Sequence, residues 1–175
     1  MKKILAWHFL NEDRMLRDGS LKVEPGYIYS IGKNERVNMC SFGMHASVSA
    51  MDALRYAPGP IICRVLVWGN VATDSDKIAG RHREVLWMAD ATRTLHEMAC
   101  WSVRETPLAD GRKHWDLLTD ERSRQAVIVK EKWLLGEATE SELAAARDAA
   151  WDAAWAAQTV GLTRRLLLLG PKGGK

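Results

Sequence analysis

The strongest structural signals of the chain lie in residues 41–70, which read SFGMHASVSAMDALRYAPGPIICRVLVWGN. The first part of this segment predicts a short strand that carries His45 and Ser47 to a strand-to-helix junction. Ser49 is a suitable N-cap for a helix of about two turns, and the Pro-Gly-Pro run at 58–60 ends that helix. The segment therefore predicts a β-α-β unit around which the rest of the chain is organised.

The last part of the segment predicts a strand in the interior of a sheet. Its side chains alternate, with Ile61, Cys63, Val65 and Val67 on one face and Ile62, Arg64, Leu66 and Trp68 on the other. Only one of these eight residues is charged, and so few charges are typical of a central strand rather than an edge strand.

Shorter periodic segments surround this unit. Alternating or β-rich patterns predict further strands at residues 3–10, 21–24, 27–30 and 81–88. The last of these places on one face His82, Glu84, Leu86 and Met88.

Beyond residue 90 the pattern becomes helical. Helices are predicted at 91–104 and 115–135, and Thr139 with Glu142 forms a capping box for a third helix. The sequence thus predicts an α+β fold, with a small mixed sheet and short helices, followed by a helical C-terminal section. The predicted boundaries are an α+β domain at 1–90, a helical section packed on it at 91–170, and a flexible tail at 171–175.

Composition excludes several classes of protein. With 47% hydrophobic and 27% charged residues, the chain of 175 residues is typical of globular proteins, and its net charge of +3 is too small to indicate nucleic-acid binding by itself. His8 and the polar residues 11–14 cut the N-terminal apolar run too short for a signal peptide, and no run reaches membrane-spanning length. We therefore expect a cytoplasmic protein with no membrane partner.

The cysteines predict no disulfide framework and no metal site. Cys40, Cys63 and Cys100 are odd in number and lack C-x-x-C spacing, so they are interpreted as reduced, partly buried thiols. Neither Cys40 with His45 nor Cys63 with Cys100 has a recognised ligand spacing.

His45 and Ser47 are candidate site residues because side chains two apart in a strand point to the same face. They would then form the floor of a polar pocket, in which the imidazole acts as a base or donates to a phosphate. The structural alternative is that His45 bonds a backbone carbonyl and Ser47 caps the following helix.

Glu84 and His82 allow two similar interpretations. On one strand face they would form an acid–base pair. Arg81 and Arg83 nearby favour the alternative, in which this is an exposed, charged strand.

Tryptophan is unusually abundant, with eight Trp against three Tyr and two Phe. Trp151 and Trp155 lie one helical turn apart in an alanine-rich segment, where they either fill a groove on the α+β domain or form an interaction face for a host protein or a second copy. Nucleic-acid contact at Arg164, Arg165 and the lysine-containing tail stays open as a weaker alternative, because aromatic and basic residues are not interleaved there.

The central residues resemble an uncharacterised domain family found in phages and bacteria. The resemblance spans roughly residues 5–90 and is carried by GMHAS at 43–47, DALRYAPG at 52–59, Arg64-Val65 with Gly69, and Asp76-Lys77. It implies a phage or prophage origin and therefore a location in the host cytoplasm. The family has no known activity that could be carried over to this chain.

The order of the predicted elements resembles, more loosely, the NAD-binding half of ADP-ribosyltransferases. In those enzymes a first-strand His or Arg holds the NAD ribose, a Ser or Tyr element packs on the nicotinamide, and a late-strand Glu steers the transfer. The resemblance implies roles for His8, for Ser47 or Tyr56, and for Glu84. Together with His45 from the strand-face argument, the candidate catalytic residues are His8, His45, Tyr56 and Glu84, and the candidate NAD-binding residues are His8 and Ser47. The chain departs from the pattern in having no Ser-Thr-Ser triplet and a His two positions before Glu84.

Two functions of different classes follow. The first is a phage-type binding or inhibitory protein that engages a host or defence protein without turnover or cofactor, and the abundance of Trp favours it. The second is a NAD-dependent, ADP-ribosyltransferase-like enzyme that modifies a host macromolecule, and the element order favours it. The sequence leaves open whether the protein is an enzyme, and we narrowly favour binding.

Overall fold

The computed structural model describes residues 2–32, 35–39 and 41–167. The chain divides into two compact units, Met1–Thr92 and Arg93–Lys175. The first unit contains the β-strands and one short helix, and the second is helical. The predicted α+β class with a helical C-terminal section is confirmed.

Within its described residues, the first unit contains seven strands and one helix. They are β1 (Ile4–Leu10), β2 (Ile28–Ser30), β3 (Met44–Ala46), α1 (Ala50–Leu54), β4 (Ile61–Trp68), β5 (Ala72–Thr73), β6 (Ile78–Gly80) and β7 (His82–Asp90). A four-stranded sheet has the order β1-β4-β7-β2, and a three-stranded sheet has the order β3-β6-β5. No strand forms over 21–24, where only an isolated bridge joins Met15 and Lys22.

The sheets correct one detail of the prediction. Instead of one small mixed sheet there are two, and each pairing between strands in the described ranges is antiparallel. The strands on either side of α1 belong to different sheets, because β3 pairs with β6 while β4 pairs with β1 and β7. The β-α-β segment therefore crosses from one sheet to the other.

Strand β4 lies inside the larger sheet, as predicted. Ile61, Cys63, Val65 and Val67 are buried in the main core cluster, and the residues between them are only partly buried. Gly80 of β6 marks where the two sheets meet, because a Cβ there would lie 2.9 Å from the Trp68 carbonyl oxygen.

Helix α1 begins as predicted but is short. The Ser49 side chain accepts a hydrogen bond from the Asp52 backbone N–H at 3.4 Å, and the helix has only five residues. Pro58 and Pro60 follow it and lead the chain directly into β4.

Strand β7 contains a bulge that the alternation pattern does not reveal. Arg64 pairs with Trp87 and Val65 pairs with Val85, so Leu86 has no partner on β4. His82 and Glu84 share a face as predicted, but the extra residue moves Met88 to the other face, opposite Cys63.

The second unit contains α2 (Thr92–Glu105), α3 (His114–Leu117), α4 (Glu121–Leu134) and α5 (Glu140–Leu167). The helix predicted over 115–135 is divided into α3 and α4, because the Asp120 side chain caps α4 by accepting from the N–H groups of Arg122 and Ser123. Thr139 and Glu142 form the predicted reciprocal capping box at the start of α5.

The guanidinium of Arg104 binds both carboxylate oxygens of Glu131, at 2.8 and 2.7 Å, and so joins α2 to α4. None of the helices in the described part of the chain combines the length and apolarity that crossing a bilayer demands.

Some of the predictions are not tested by the structure. The flexible tail at 171–175 and the side chains of Arg164 and Arg165 lie outside the described residues. The packing of the helical section on the α+β domain stays a prediction.

Candidate functional site

The two faces of the four-stranded sheet carry different side chains. Alternation and register place on one side, here called the core face, Ala6, His8, Cys63, Val65, Arg83 and Val85. They place on the opposite side, here called the outer face, Leu5, Trp7, Ile28, Arg64, Leu66, Trp68, His82, Glu84 and Trp87. Each face carries an arginine, and the predicted site residues are divided between them, with His8 on the core face and Glu84 with His82 on the outer face.

Arg83 is the unexpected member of the core face. Only 3% of the residue is exposed, whereas the sequence favoured an exposed, charged strand. Its Nη1 donates to the His45 carbonyl oxygen at 2.9 Å, and its buried Nε has no hydrogen-bond partner among the described residues. Burial lowers the pKa of the guanidinium to about 10, which still leaves it charged at neutral pH.

His8 and His45 belong to the same buried region. Burial holds the pKa of His8 well below 6.5, and the positive charge of Arg83 lowers it further. Burial also lowers the pKa of His45, whose Nε2 is buried without a partner. Both imidazoles are therefore neutral at physiological pH, and the structure brings these two predicted site residues together around Arg83.

Cys63 and Ser47 are two further buried residues of the first unit. Burial raises the pKa of the Cys63 thiol to about 11, so it is protonated and unreactive at neutral pH. Ser47 is 2% exposed, and its backbone N–H and carbonyl pair with those of Trp7 at 2.9 and 2.7 Å. Ser47 thus links β1 to the segment after β3, while Ser49 caps α1.

Tyr56 lies elsewhere, just after α1. Its hydroxyl donates to Asp76 Oδ2 at 2.6 Å, and the Lys77 ammonium lies 4.9 Å from its ring centroid. The hydrogen bond to Asp76 raises the pKa of Tyr56. Asp76 also lines a depression of about 200 Å³ together with Asp52 and Asp74, but no group of metal-ligating side chains occurs among the described residues.

Glu84 lies on the outer face, opposite to His8. Its carboxylate accepts a hydrogen bond from Lys3 Nζ at 2.9 Å, and that ammonium also lies 4.3 Å from the ring centroid of Trp68. His82 instead shares a hydrogen bond of 2.7 Å with Ser30 Oγ. The four residues predicted to be catalytic are thus distributed over three places, with only His8 and His45 together.

The outer face brings aromatic and cationic side chains together in rows across the strands. In the first row Trp7, Arg64 and Trp87 are cross-strand neighbours. The Arg64 guanidinium lies 4.1 Å from the Trp7 ring centroid, and the two indoles meet edge to face at 5.8 Å. Another row contains Trp68 and His82, whose ring centroids lie 5.3 Å apart.

An apolar row lies between these two aromatic rows. Leu5, Leu66 and Ile28 occupy it, with Glu84 between the last two. Leu5 is 45% exposed, Ile28 55% and Trp87 45%, so the outer face presents large apolar side chains to its surroundings. Alternation in β4 identified its outer-face residues, but the rows depend on how the strands pair.

Comparison with known proteins identifies no relative of the chain. No family model, curated protein or solved structure matches the chain. One surface depression is lined by residues 11–13 and 58–60, and another is the depression beside Asp76. Neither is lined by His8, His45 or Glu84.

Proposed function

We propose that this protein is a phage-type binding or inhibitory protein that engages a host or defence protein without turnover, through the outer face of its four-stranded sheet. The observation that carries the proposal is the arrangement of Trp7, Arg64 and Trp87 beside the exposed Leu5 and Ile28. Large exposed apolar side chains concentrated on one face are a feature of interaction surfaces.

The chemistry of the rows suits a protein partner. Tryptophan and arginine are the residues that most often dominate binding energy at protein interfaces. The apolar row would pack against apolar side chains of the partner. Lys3 and Arg64, at the sides of this row, would face carboxylates of the partner.

The enzyme alternative retains one supporting observation, the proximity of His8 and His45. An ADP-ribosyltransferase-like reaction would also need Tyr56 and Glu84 near the same NAD molecule. Tyr56 instead bonds Asp76 beyond α1, and Glu84 bonds Lys3 on the opposite face of the sheet. The binding function therefore has the stronger support.

The experiment captures partners from a bacterial lysate on the immobilised full chain and identifies them by mass spectrometry. We expect a reproducible protein that Trp87→Ser and Ile28→Ser each release. The matched control is Trp101→Ser, because Trp101 is an exposed tryptophan in α2 of the second unit. Capture that survives both outer-face changes, or no reproducible partner, would refute the proposal.

A second measurement addresses the enzyme alternative. Millimolar NAD is added to the protein, its melting temperature is recorded, and nicotinamide release is followed in lysate. We expect neither a shift nor release. Release that is abolished by His45→Ala or Glu84→Ala would establish the enzyme instead.

A further inference from the structure

Strand β7 has a neighbour along its whole length on one side and along only part of it on the other. Strand β4 pairs with it from end to end apart from the bulge, whereas β2 pairs only with residues 82–84. Val85 extends the contact on the β2 side by one residue, because it bonds the backbone of Gly26 and Tyr27 at 2.7 and 3.1 Å. Residues 86–90, here called the open edge, have no described strand beside them on that side.

The turn at Pro25 and Gly26 explains why the pairing stops there. Gly26 has a φ of +82°, a left-handed conformation that glycine adopts readily, and the turn comes directly before β2. The described chain before this turn makes no backbone hydrogen bond to the open edge. The open edge is also accessible, since Leu86 is 39% exposed and Trp87 45%.

Alternation along the strand identifies the backbone groups that face the open side. The Ala91 N–H donates to the Pro60 carbonyl oxygen at 3.0 Å, on the β4 side. Successive residues of a strand direct their N–H and C=O groups to alternate sides, so Met88 and Asp90 direct theirs to the open side. The bulge precedes this stretch and leaves its alternation regular. The backbone groups of these two residues are therefore free to pair with another strand.

The open edge lacks the usual protection against such pairing. Natural edge strands are commonly protected by lysine or proline, and residues 86–90, which read LWMAD, contain neither. Their one charged side chain is that of Asp90. Hydrogen bonding to Thr92 lowers the pKa of Asp90, and nearby Arg14 lowers it further, so this charge is already compensated. The open edge is thus suited to an apolar segment rather than a charged one.

From these observations we propose that the open edge binds an extended, apolar segment of a protein partner as an additional strand of the four-stranded sheet. Backbone hydrogen bonds to Met88 and Asp90 hold the segment, and its alternate side chains lie on the outer face beside Trp87. This mode of binding rests on the proposed function and deepens it, because Trp87 belongs both to the open edge and to the outer face.

A second copy of the chain is a poorer occupant than a separate segment. Antiparallel pairing of two copies through both free residues would set Met88 opposite Asp90 of the copy, and Trp87 opposite its Ala91. Ala91 is only 7% exposed and α2 begins at Thr92, so the copy offers no free strand beyond Asp90. A separate extended segment has no such restriction.

The experiment selects nine-residue peptides from a random displayed library on the immobilised full chain and measures their affinity by titration. We expect apolar residues at every second position of the selected peptides. Met88→Pro removes one N–H from the open edge and should weaken binding about tenfold. The matched control is Met88→Leu, which keeps the N–H and nearly the same side-chain volume and should bind like the wild type. Equal affinity of the two variants would overturn the proposal.

Methylation of the peptide backbone tests strand addition on the wild-type protein, whether or not Met88→Pro folds. A methyl group on an amide nitrogen that faces the open edge removes a donor and obstructs pairing, whereas the nitrogen of the next residue faces away. We expect the affinity to fall and recover with a period of two residues along the peptide. Equal effects at consecutive nitrogens would refute strand addition.

The outer-face variants separate this mode of binding from the proposed function. Peptide binding that Ile28→Ser abolishes, without a period of two, would leave the outer face as the binding surface and refute strand addition. A period of two, together with lysate capture that survives both Ile28→Ser and Trp87→Ser, would refute the outer face and retain the open edge. Self-association of the wild type in sedimentation, abolished by Met88→Pro, would assign the open edge to a second copy and overturn the choice of occupant.

Discussion

The two faces of the four-stranded sheet surround an arginine with different groups. Arg64 on the outer face lies against the Trp7 ring, where a cation is attracted to the aromatic electrons. Arg83 on the core face has no cation–π contact and no ion pair among the described residues, and its side chain donates to a carbonyl oxygen. The two arginines lie on adjacent strands of the same sheet. The face on which each guanidinium lies therefore decides its surroundings.

The first prediction contrasts neighbours on β4 that face opposite sides. Val65→Asp should reduce the free energy of unfolding by about 4 kcal/mol or more, because Val65 is fully buried and the new carboxylate would have no partner there. Leu66→Asp, one residue later on the outer face, should cost about 1–2 kcal/mol. Urea denaturation measures both changes, and equal losses would show that the outer face is as buried as the core face.

The second prediction concerns pH. The pKa of His8 in the folded protein lies below 6.5, so protonation favours the unfolded state. Stability should therefore be complete above about pH 6.5 and should fall below it, by up to about 1.4 kcal/mol per pH unit from His8 alone. His8→Gln should flatten unfolding curves recorded between pH 7 and 5, and an unchanged slope would contradict a neutral, buried His8.

A third, smaller effect tests the aromatic row. A double-mutant cycle with Trp7→Leu and Arg64→Leu should give a coupling energy of about 0.5–1 kcal/mol, the size of a partly exposed cation–π contact. The matched cycle pairs Trp7→Leu with Arg83→Leu on the other face and should give a coupling near zero. Equal couplings in the two cycles would mean that the row is not an energetic unit.

The smallest effect is expected at the ion pair between Lys3 and Glu84. Both side chains are partly exposed, so Glu84→Gln should cost less than about 0.5 kcal/mol, and this cost should disappear in high salt. The bidentate pair of Arg104 and Glu131 gives a comparison in the second unit, where Glu131→Gln should cost about 1 kcal/mol. A larger loss at Glu84 than at Glu131 would indicate that the outer face is more enclosed than its exposure implies.

Much of the fold was predictable because its signals are local. The alternation in residues 61–68 identified β4 and its buried side, and Ser49 and Thr139 identified the starts of two helices. These signals act within a few residues, through side-chain direction and through hydrogen bonds to the first free N–H groups.

Little of the candidate site was predictable for the same reason. Glu84 and His8 were both nominated as catalytic residues, but the antiparallel register places them on opposite faces. The sequence favoured an exposed Arg83. The bulge at Leu86 shifts the alternation of side chains in β7, so the face of the residues before the bulge does not predict the face of those after it. The face on which a strand residue lies depends on the neighbouring strands, which are distant in sequence.

The sequence by itself determined the class of the fold, the central strand and the caps of the helices, because hydrophobic periodicity and capping are properties of short segments. Only the tertiary structure decided which residues are neighbours: Trp7 with Arg64 and Trp87 outside, and Arg83 in the same buried region as His8 and His45 inside. Strand pairing sets these neighbours, and pairing is selected by the packing of the whole first unit rather than by any one segment.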